Sequence, residues 1–522
     1  MNLAQLAEQS AERLGERRSL IFEGTVHTNL QTLDRARRLH RALADRGVGA
    51  GDVVALCMIN HASVYPTFQG IFRSGAAAAP VMFQVAVPEL RFILEDTRAC
   101  GVITDLHDLE KVRRAVDGLA HVEWIAVLGG RSRRSAQPPE VALESWLEGD
   151  PETRLPAIDP GQLALLLYTS GTTGKPKGAM LSHANLIASA EAAYEAAEVD
   201  GLESPRISVS AMPMAHIFGV GVMNSGYLLP KRLADGYMVQ MTRFEPERFM
   251  QLIHEHRANQ IPAVPTMLTM VLSHPKLRRY DLSSLEEVVC GAAPLPVELA
   301  KAFAKRFGCR VREIYGMTES TGLGSANRRS DEYRPGSAGR AYLKTEVAIF
   351  DADDQPVEPG ERGEIVLRGP SIMKGYLNRP EETAETLRGG WLHTGDVGYL
   401  DEEGFLYIVD RKKDMILRGG ENIYPAEIES VLYEHPAVAE AAVVGAPDEV
   451  YGERVVAFVA LRPDQMASPD ELIEFVKQRI TPFKAPSEIH PVDALPKSGV
   501  GKILRRELRV LAAGQKEIGA AS

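Results

Sequence analysis

The chain is 522 residues long, 45% hydrophobic and 25% charged, a globular balance with room for about three to four folding units and no need of covalent staples. Lysine and arginine total 59 against 70 acidic residues, a net charge of −11, which argues against general nucleic-acid binding because that needs a basic face. Four cysteines lie far apart without a Cys-x-x-Cys pair, which fits a reducing, cytoplasmic setting and leaves no disulfide framework or zinc site.

The N-terminus, MNLAQLAEQSAERLGERRSL, is polar and helix-prone, without the apolar segment of a signal peptide. The longest apolar stretch, residues 75–87, is alanine-rich and interrupted by Pro80 and Gln84, far short of a membrane span. Short apolar runs then alternate with helical patterns. LALLLY at 163–168 precedes a loop and the helical segment ANLIASAEAAYEAAE, and LEEVVC at 285–290 precedes GAAP and the amphipathic PVELAKAFAKRF. Strand, glycine loop and helix in succession predict βα units with largely parallel sheets.

After about residue 340 the texture changes to short strands: GEIVLRG, then WLHTGDVGYL and FLYIVDR joined by the turn DEEG. The charge-dense run DRKKD at 410–414 is a candidate boundary. Beyond it, PAEIESVLYEH places Ile428, Val431 and Leu432 on one helical face. Two strands follow, AAVVGA and ERVVAFVAL, and then a helix in which Ser468 is the N-cap and Glu471 completes a capping box. The expected architecture is α/β: a large N-terminal domain, residues 1–410, of stacked βα sheets with a small β-barrel-like part, and a small α+β C-terminal domain, residues 411–522.

The strongest chemical feature is YTSGTTGKPKG, Tyr168 to Gly178, directly after an apolar strand. Its glycines, hydroxyls and two lysines make a donor-rich loop able to wrap polyphosphate. It is not a Walker A loop, and the chain carries no GxGxxG dinucleotide fingerprint, GxSxG elbow or HExxH helix.

That loop resembles the signature of the AMP-forming acyl- and aryl-CoA synthetases, the adenylation domains and the beetle luciferases. MPMAHIFG at 212–219, GAAPLP at 291–296, IYGMTES at 314–320, HTGDVGYL at 393–400, IVDRKKDMILRGGENIYPAEIE at 408–429 and PKSGVGK at 496–502 extend the match in order. The resemblance implies ATP-dependent activation of a carboxylic acid to acyl-AMP with release of pyrophosphate, then thioester formation with coenzyme A, using Mg²⁺. It leaves a carrier protein open as an alternative acyl acceptor and a homodimer as an assembly.

By the same resemblance, Thr169, Ser170, Gly171, Thr172, Thr173, Gly174 and Lys177 hold the β- and γ-phosphates. Tyr315 lies against adenine, with Gly316 and Met317 in the same nucleotide-binding turn; Thr318 binds the α-phosphate and Glu319 holds Mg²⁺. Gly291, Ala292 and Ala293 let the adenine and acyl group approach the backbone. Asp396 accepts the ribose hydroxyls beside Arg411. Lys502 is the adenylation lysine, bridging the substrate carboxylate and the α-phosphate. Lys413 is the hinge of the small domain, whose two orientations deliver Lys502 or present Arg418, Gly419, Gly420, Glu421 and Asn422 to form the thiol tunnel. His216 gates the carboxylate end, and Phe218, Gly219, Val220, Val264, Gly291 and Gly316 are the expected acyl-pocket wall.

Amino-acid-activating relatives place an aspartate in the stretch after His216 to pair with the substrate ammonium. None occurs between His216 and Tyr227, and an unpaired buried ammonium would be costly. A neutral, apolar-tailed acid is therefore expected: a medium- or long-chain fatty acid first, an aryl or arylpropenoic acid second.

Overall fold

The structure is a computed structural model that describes residues 1–169, 176–462, 465–497 and 503–514. Among these residues the strands form four sheets. Two of them carry the body of the chain. In one, six consecutive neighbours are parallel: Arg310–Tyr315, Glu287–Cys290, Gln260–Ala263, Ile207–Ser210, Tyr237–Gln240 and Arg18–Phe22. In the other, Trp124–Leu128, Gly101–Asp105, Val53–Cys57, Ala77–Pro80 and Leu163–Thr169 run parallel, closed on one edge by the antiparallel strand Lys177–Ser182. Their strands are near-continuous apolar runs because helices cover the faces, as in doubly wound sheets. Phe68, Ile71 and Phe72 from the helix Val64–Ser74 sit in one core with Val54, Leu165 and Leu167.

LALLLY and LEEVVC form the expected strands, Leu163–Thr169 and Glu287–Cys290. One detail differs: after the glycine loop the chain returns as the strand Lys177–Ser182 before the helix His183–Ala196 begins. Its small residues, Gly178 and Ala179, carry little strand propensity, so only the tertiary pairing reveals it. That pairing sets Thr169 opposite Lys177 and so holds the two ends of the loop together.

The β-barrel-like part takes the form of a four-stranded antiparallel sheet, in the order Glu346–Phe350, Gly363–Arg368, Leu392–Leu400, Leu406–Arg411. Its last strand runs through the boundary expected after residue 410, so Arg411 is still part of this sheet. The chain then builds a separate small core around Ile428, Leu432, Val443 and Ala457, the last two on the paired strands Val438–Asp448 and Gly452–Leu461. Ile428, Val431 and Leu432 are buried as their spacing requires. Ser468 caps its helix by accepting from the Glu471 N–H at 3.2 Å. The reciprocal half of the capping box is replaced: the Glu471 carboxylate lies 3.8 Å from His435 Nε2 instead. Among the described residues no helix is long and apolar enough to cross a membrane.

Candidate active site

The C-terminal ends of the parallel strands meet the antiparallel sheet, where ligands bind in open α/β folds. Tyr315 ends its strand, and its hydroxyl donates to Asp396 Oδ2 at 2.7 Å. Asp396 faces Arg411 across the antiparallel pair, and Arg411 Nε lies 3.1 Å from Asp396 Oδ1. Asp396 is only 5% exposed. Its charge raises the Arg411 pKa above the ordinary value, and burial together with that charge pushes the Tyr315 hydroxyl well up. Among the described residues each carboxylate oxygen has one side-chain partner, which leaves a second lone-pair direction to offer. Two parallel acceptors are what a vicinal diol needs, so the geometry fits the ribose role expected of Asp396.

The turn Thr318–Ser320 follows directly. Gly316 permits it: a Cβ there would lie 2.2 Å from the Gly322 carbonyl oxygen, which no side chain can do. Met317 closes the turn by donating its N–H to Ser320 Oγ at 3.1 Å, leaving Thr318 partly exposed and Glu319 buried. Glu319 Oε1 accepts from the Tyr376 hydroxyl at 2.8 Å and lies 3.4 Å from Thr169 Oγ1. Lys177 Nζ stands 5.2 Å from the centre of the Tyr376 ring. One end of the glycine-rich loop therefore meets the Glu319 carboxylate, and the other meets the Tyr376 ring whose hydroxyl binds it. Ser170, Gly171, Thr172, Thr173 and Gly174 lie outside the described residues. A hard carboxylate oxygen next to hydroxyls and a phosphate-type loop is a donor set that suits Mg²⁺, which keeps water and phosphate ligands of its own.

Tyr376 is a functional candidate that sequence reasoning missed. It sits 57 residues from Glu319 in a loop with no motif of its own. Tyr376→Phe should leave the fold intact and lower kcat/KM for MgATP by about 10- to 100-fold, because it removes a hydrogen bond to a charged group. A titration of pyrophosphate release against Mg²⁺ concentration checks this.

Gly291, Ala292 and Ala293 follow the strand Glu287–Cys290, and Ala292 holds a left-handed φ of +69°. Such backbone strain in a non-glycine residue costs on the order of 1 kcal/mol and tends to collect at functional turns.

His216 caps the helix Ile217–Ser225, its Nδ1 accepting from the Phe218 N–H at 3.3 Å. Beside this helix lies a cavity of about 360 Å³, within the ~300–1,000 Å³ usual for ligand sites. Its wall includes Phe218, Gly221, Val222 and Ser225 on one side and Thr321, Gly322 and Leu323 on the other. Part of the expected acyl wall borders this cavity and part does not. Phe218 lines the cavity, but Gly219, Val220, Val264, Gly291 and Gly316 do not. A helix presents residues i, i+3, i+4 and i+7 to one side, so Gly219 and Val220 do not share the face of Phe218, Gly221, Val222 and Ser225 that borders the cavity. Val220 and Val264 are packed in two different cores, and a Cβ on Gly219 would lie 2.3 Å from the Pro213 carbonyl oxygen.

Past Arg411 the chain turns sharply, with the Asp414 N–H donating to the Arg411 carbonyl at 2.9 Å. The Lys413 carbonyl accepts from Arg509 Nη2 at 3.1 Å, and Arg509 also reaches Asp414 at 2.9 Å. Arg505, on the same helix Arg505–Ala512, pairs with Glu429 and lies 3.8 Å from Asp414. The RGGEN segment is a tight hairpin: Arg418 pairs with Glu421, and Gly419 and Gly420 hold φ of +60° and +86°, the two left-handed positions of a type I′ turn. The Arg418 guanidinium lies over the rings of Phe483 and Tyr451 at 4.8 and 5.2 Å. Lys502 lies outside the described residues. The described residues on either side of it in sequence are joined by a bridge between Lys497 and Ile503 and by the Leu504 N–H, which donates to the Pro496 carbonyl at 2.9 Å.

A family model described as AMP-binding enzyme matches residues 7–377, and one described as AMP-binding enzyme C-terminal domain matches residues 427–502. The chain is 35% identical to a long-chain-fatty-acid–CoA ligase of Bacillus subtilis over 97% of its own length and 94% of the relative's. It is 37% identical to a feruloyl-CoA synthase of Amycolatopsis sp over 93% of its length and 94% of the relative's. A crystal structure of an anthranilate CoA ligase in complex with anthranoyl-AMP superposes with a TM-score of 0.90 at 27% identity, covering 99% of this chain and 98% of that one. The chain belongs to the AMP-binding enzyme family, as an AMP-forming carboxylic acid–CoA ligase that uses ATP and coenzyme A.

Proposed function

We propose that the enzyme activates a carboxylic acid with a largely apolar tail, a medium- or long-chain fatty acid before an aryl acid, to acyl-AMP and then to the coenzyme A thioester. The observation that carries this reading is the shared wall: Thr321 and Gly322, which border the cavity, directly follow the turn that holds Thr318 and Glu319. A tail in the cavity thus brings its carboxyl group beside the phosphate site. No aspartate stands between His216 and Tyr227 to receive an ammonium, which supports a neutral tail.

In this reading Asp396 and Arg411 hold the ribose, and Tyr315 orients Asp396. Lys177 and the loop before it hold the phosphates, and Thr318 and Lys502 meet the α-phosphate. Bringing two anions together is the barrier, so these residues act by position and charge. Mg²⁺ at Glu319 would neutralise phosphate charge. The second half-reaction needs Lys502 withdrawn, because a thiol and a lysine cannot occupy one place; the division into a body and a cap that pivots near Lys413 serves that exchange.

The test is pyrophosphate release and thioester formation across straight-chain and aryl acids, with coenzyme A or a phosphopantetheinyl carrier as acceptor. The reading expects the highest kcat/KM for a straight-chain acid with coenzyme A. A clear preference for aryl acids, which the feruloyl and anthranilate relatives favour as the second reading, would overturn the choice of acid. Transfer to the carrier alone would overturn the choice of acceptor.

A further inference from the structure

We propose that the acid taken by this enzyme carries a neutral hydrogen-bonding group on its tail, and that the carboxamide of Gln69 receives it inside the acyl cavity. This deepens the proposed function and rests on its reading of the cavity as the acyl site.

Tyr65 and Gln69 stand four residues apart on the helix Val64–Ser74 and both line the cavity, as i and i+4 positions share a face. Tyr65 is fully committed. Its hydroxyl donates to Gln240 Oε1 at 2.9 Å, and Gln240 Nε2 donates to the Met241 carbonyl at 3.0 Å. Gln69 is not. It is 2% exposed, yet neither Oε1 nor Nε2 completes a hydrogen bond of ordinary geometry with the protein. The amide NH₂ has one polar contact, the hydroxyl of Tyr227, on the turn after the helix Ile217–Ser225, which it reaches loosely and which also lines the cavity.

Buried carboxamides are almost always bonded, whereas the arginines of this wall have partners for their terminal nitrogens, although Nε of Arg17 and of Arg206 is buried without one. Arg17 donates to the carbonyls of Ala234 and Gly236 at 3.0 and 2.5 Å. Arg206 pairs with Glu286 at 2.6 Å, and Arg312 pairs with Glu287. Gln69 therefore offers its Oε1 acceptor, and the N–H not directed at Tyr227, to whatever fills the cavity. A hydroxyl matches both, since it donates and accepts; an oxo group matches the NH₂ alone. Gln69 itself does not select a charged group, because the amide supplies no counter-charge. Two kinds of acid carry this chemistry: an aliphatic hydroxy- or oxo-acid and a hydroxyaryl acid.

The experiment compares matched pairs on the full-length enzyme with ATP, Mg²⁺ and coenzyme A. One arm pairs a straight-chain acid with its hydroxylated forms at successive positions. The other pairs cinnamic acid with its ring-hydroxylated forms. The quantity read is the ratio of kcat/KM within a pair, which cancels any loss of correctly folded enzyme. The expected ratio is about 10–100 in favour of the hydroxylated acid in one arm, collapsing toward 1 in Gln69→Leu. Gln69→Met, unbranched like glutamine, is read alongside and should show the same collapse. Ratios at or below 1 in both arms would overturn the assignment, as would a wild-type preference that survives both substitutions. In either case plain acids still turn over. Failure of every acid to release pyrophosphate would instead overturn the underlying acyl-activating reading.

Discussion

Replacing Lys502 with alanine should abolish acyl-AMP formation, with a loss of about 10²–10³ in rate or more, while supplied acyl-AMP is still converted to thioester. The expectation follows from the charges. A carboxylate must approach an α-phosphate inside a site already holding the Glu319 and Asp396 carboxylates, each 5% exposed. Arg411 is committed to Asp396 at 3.1 Å, so a further cation is needed between the two reacting anions. In the second half-reaction that need disappears, because the thiol attacks a carbonyl and the leaving group is AMP. Pyrophosphate release measures the first step, and thioester yield from synthetic acyl-AMP measures the second. Equal loss of both would refute the assigned role.

The second large effect is expected at Lys413, where proline should leave adenylation nearly intact and slow thioester formation by at least tenfold. The bonds that shape this turn are the Asp414 N–H to the Arg411 carbonyl and the Arg509 guanidinium to the Lys413 carbonyl. Neither uses the N–H that proline removes, so the substitution should act through φ, which it fixes near −65°. A pivot residue must change its backbone angles between two orientations, and a fixed φ obstructs that change. Single-turnover rates for each half-reaction separate the effects. An unaltered thioester step would place the pivot elsewhere.

How much of this was legible depends on the range of the interaction. Strands such as Leu163–Thr169 announce themselves because consecutive apolar residues are buried on both faces. Tyr315, Asp396 and Arg411 were each recognisable in their motifs. What joins them is the register of the antiparallel pair Leu392–Leu400 and Leu406–Arg411 and a contact across 81 residues of sequence, which no local pattern encodes. Tyr376 escaped notice for the same reason. The cavity is legible only in part: the motif marks the helix Ile217–Ser225, and its 3.6-residue period sets Phe218, Gly221, Val222 and Ser225 along the cavity. Gln69 lay in an apolar helix near the N-terminus, where a glutamine carries no signal until its burial is seen.

The helix Arg505–Ala512 begins three residues after Lys502 and grips the turn at Lys413 through Arg509 and Asp414 through both arginines. The expected pivot is thus fastened to a short rod that begins three residues beyond the expected reactive lysine in sequence. Under the proposed swing, the rod cannot shift against the turn without parting these contacts. The pivot is latched as well as bendable, and the latch is electrostatic, the kind of fastening that dissolved salt loosens and a greasy contact would not.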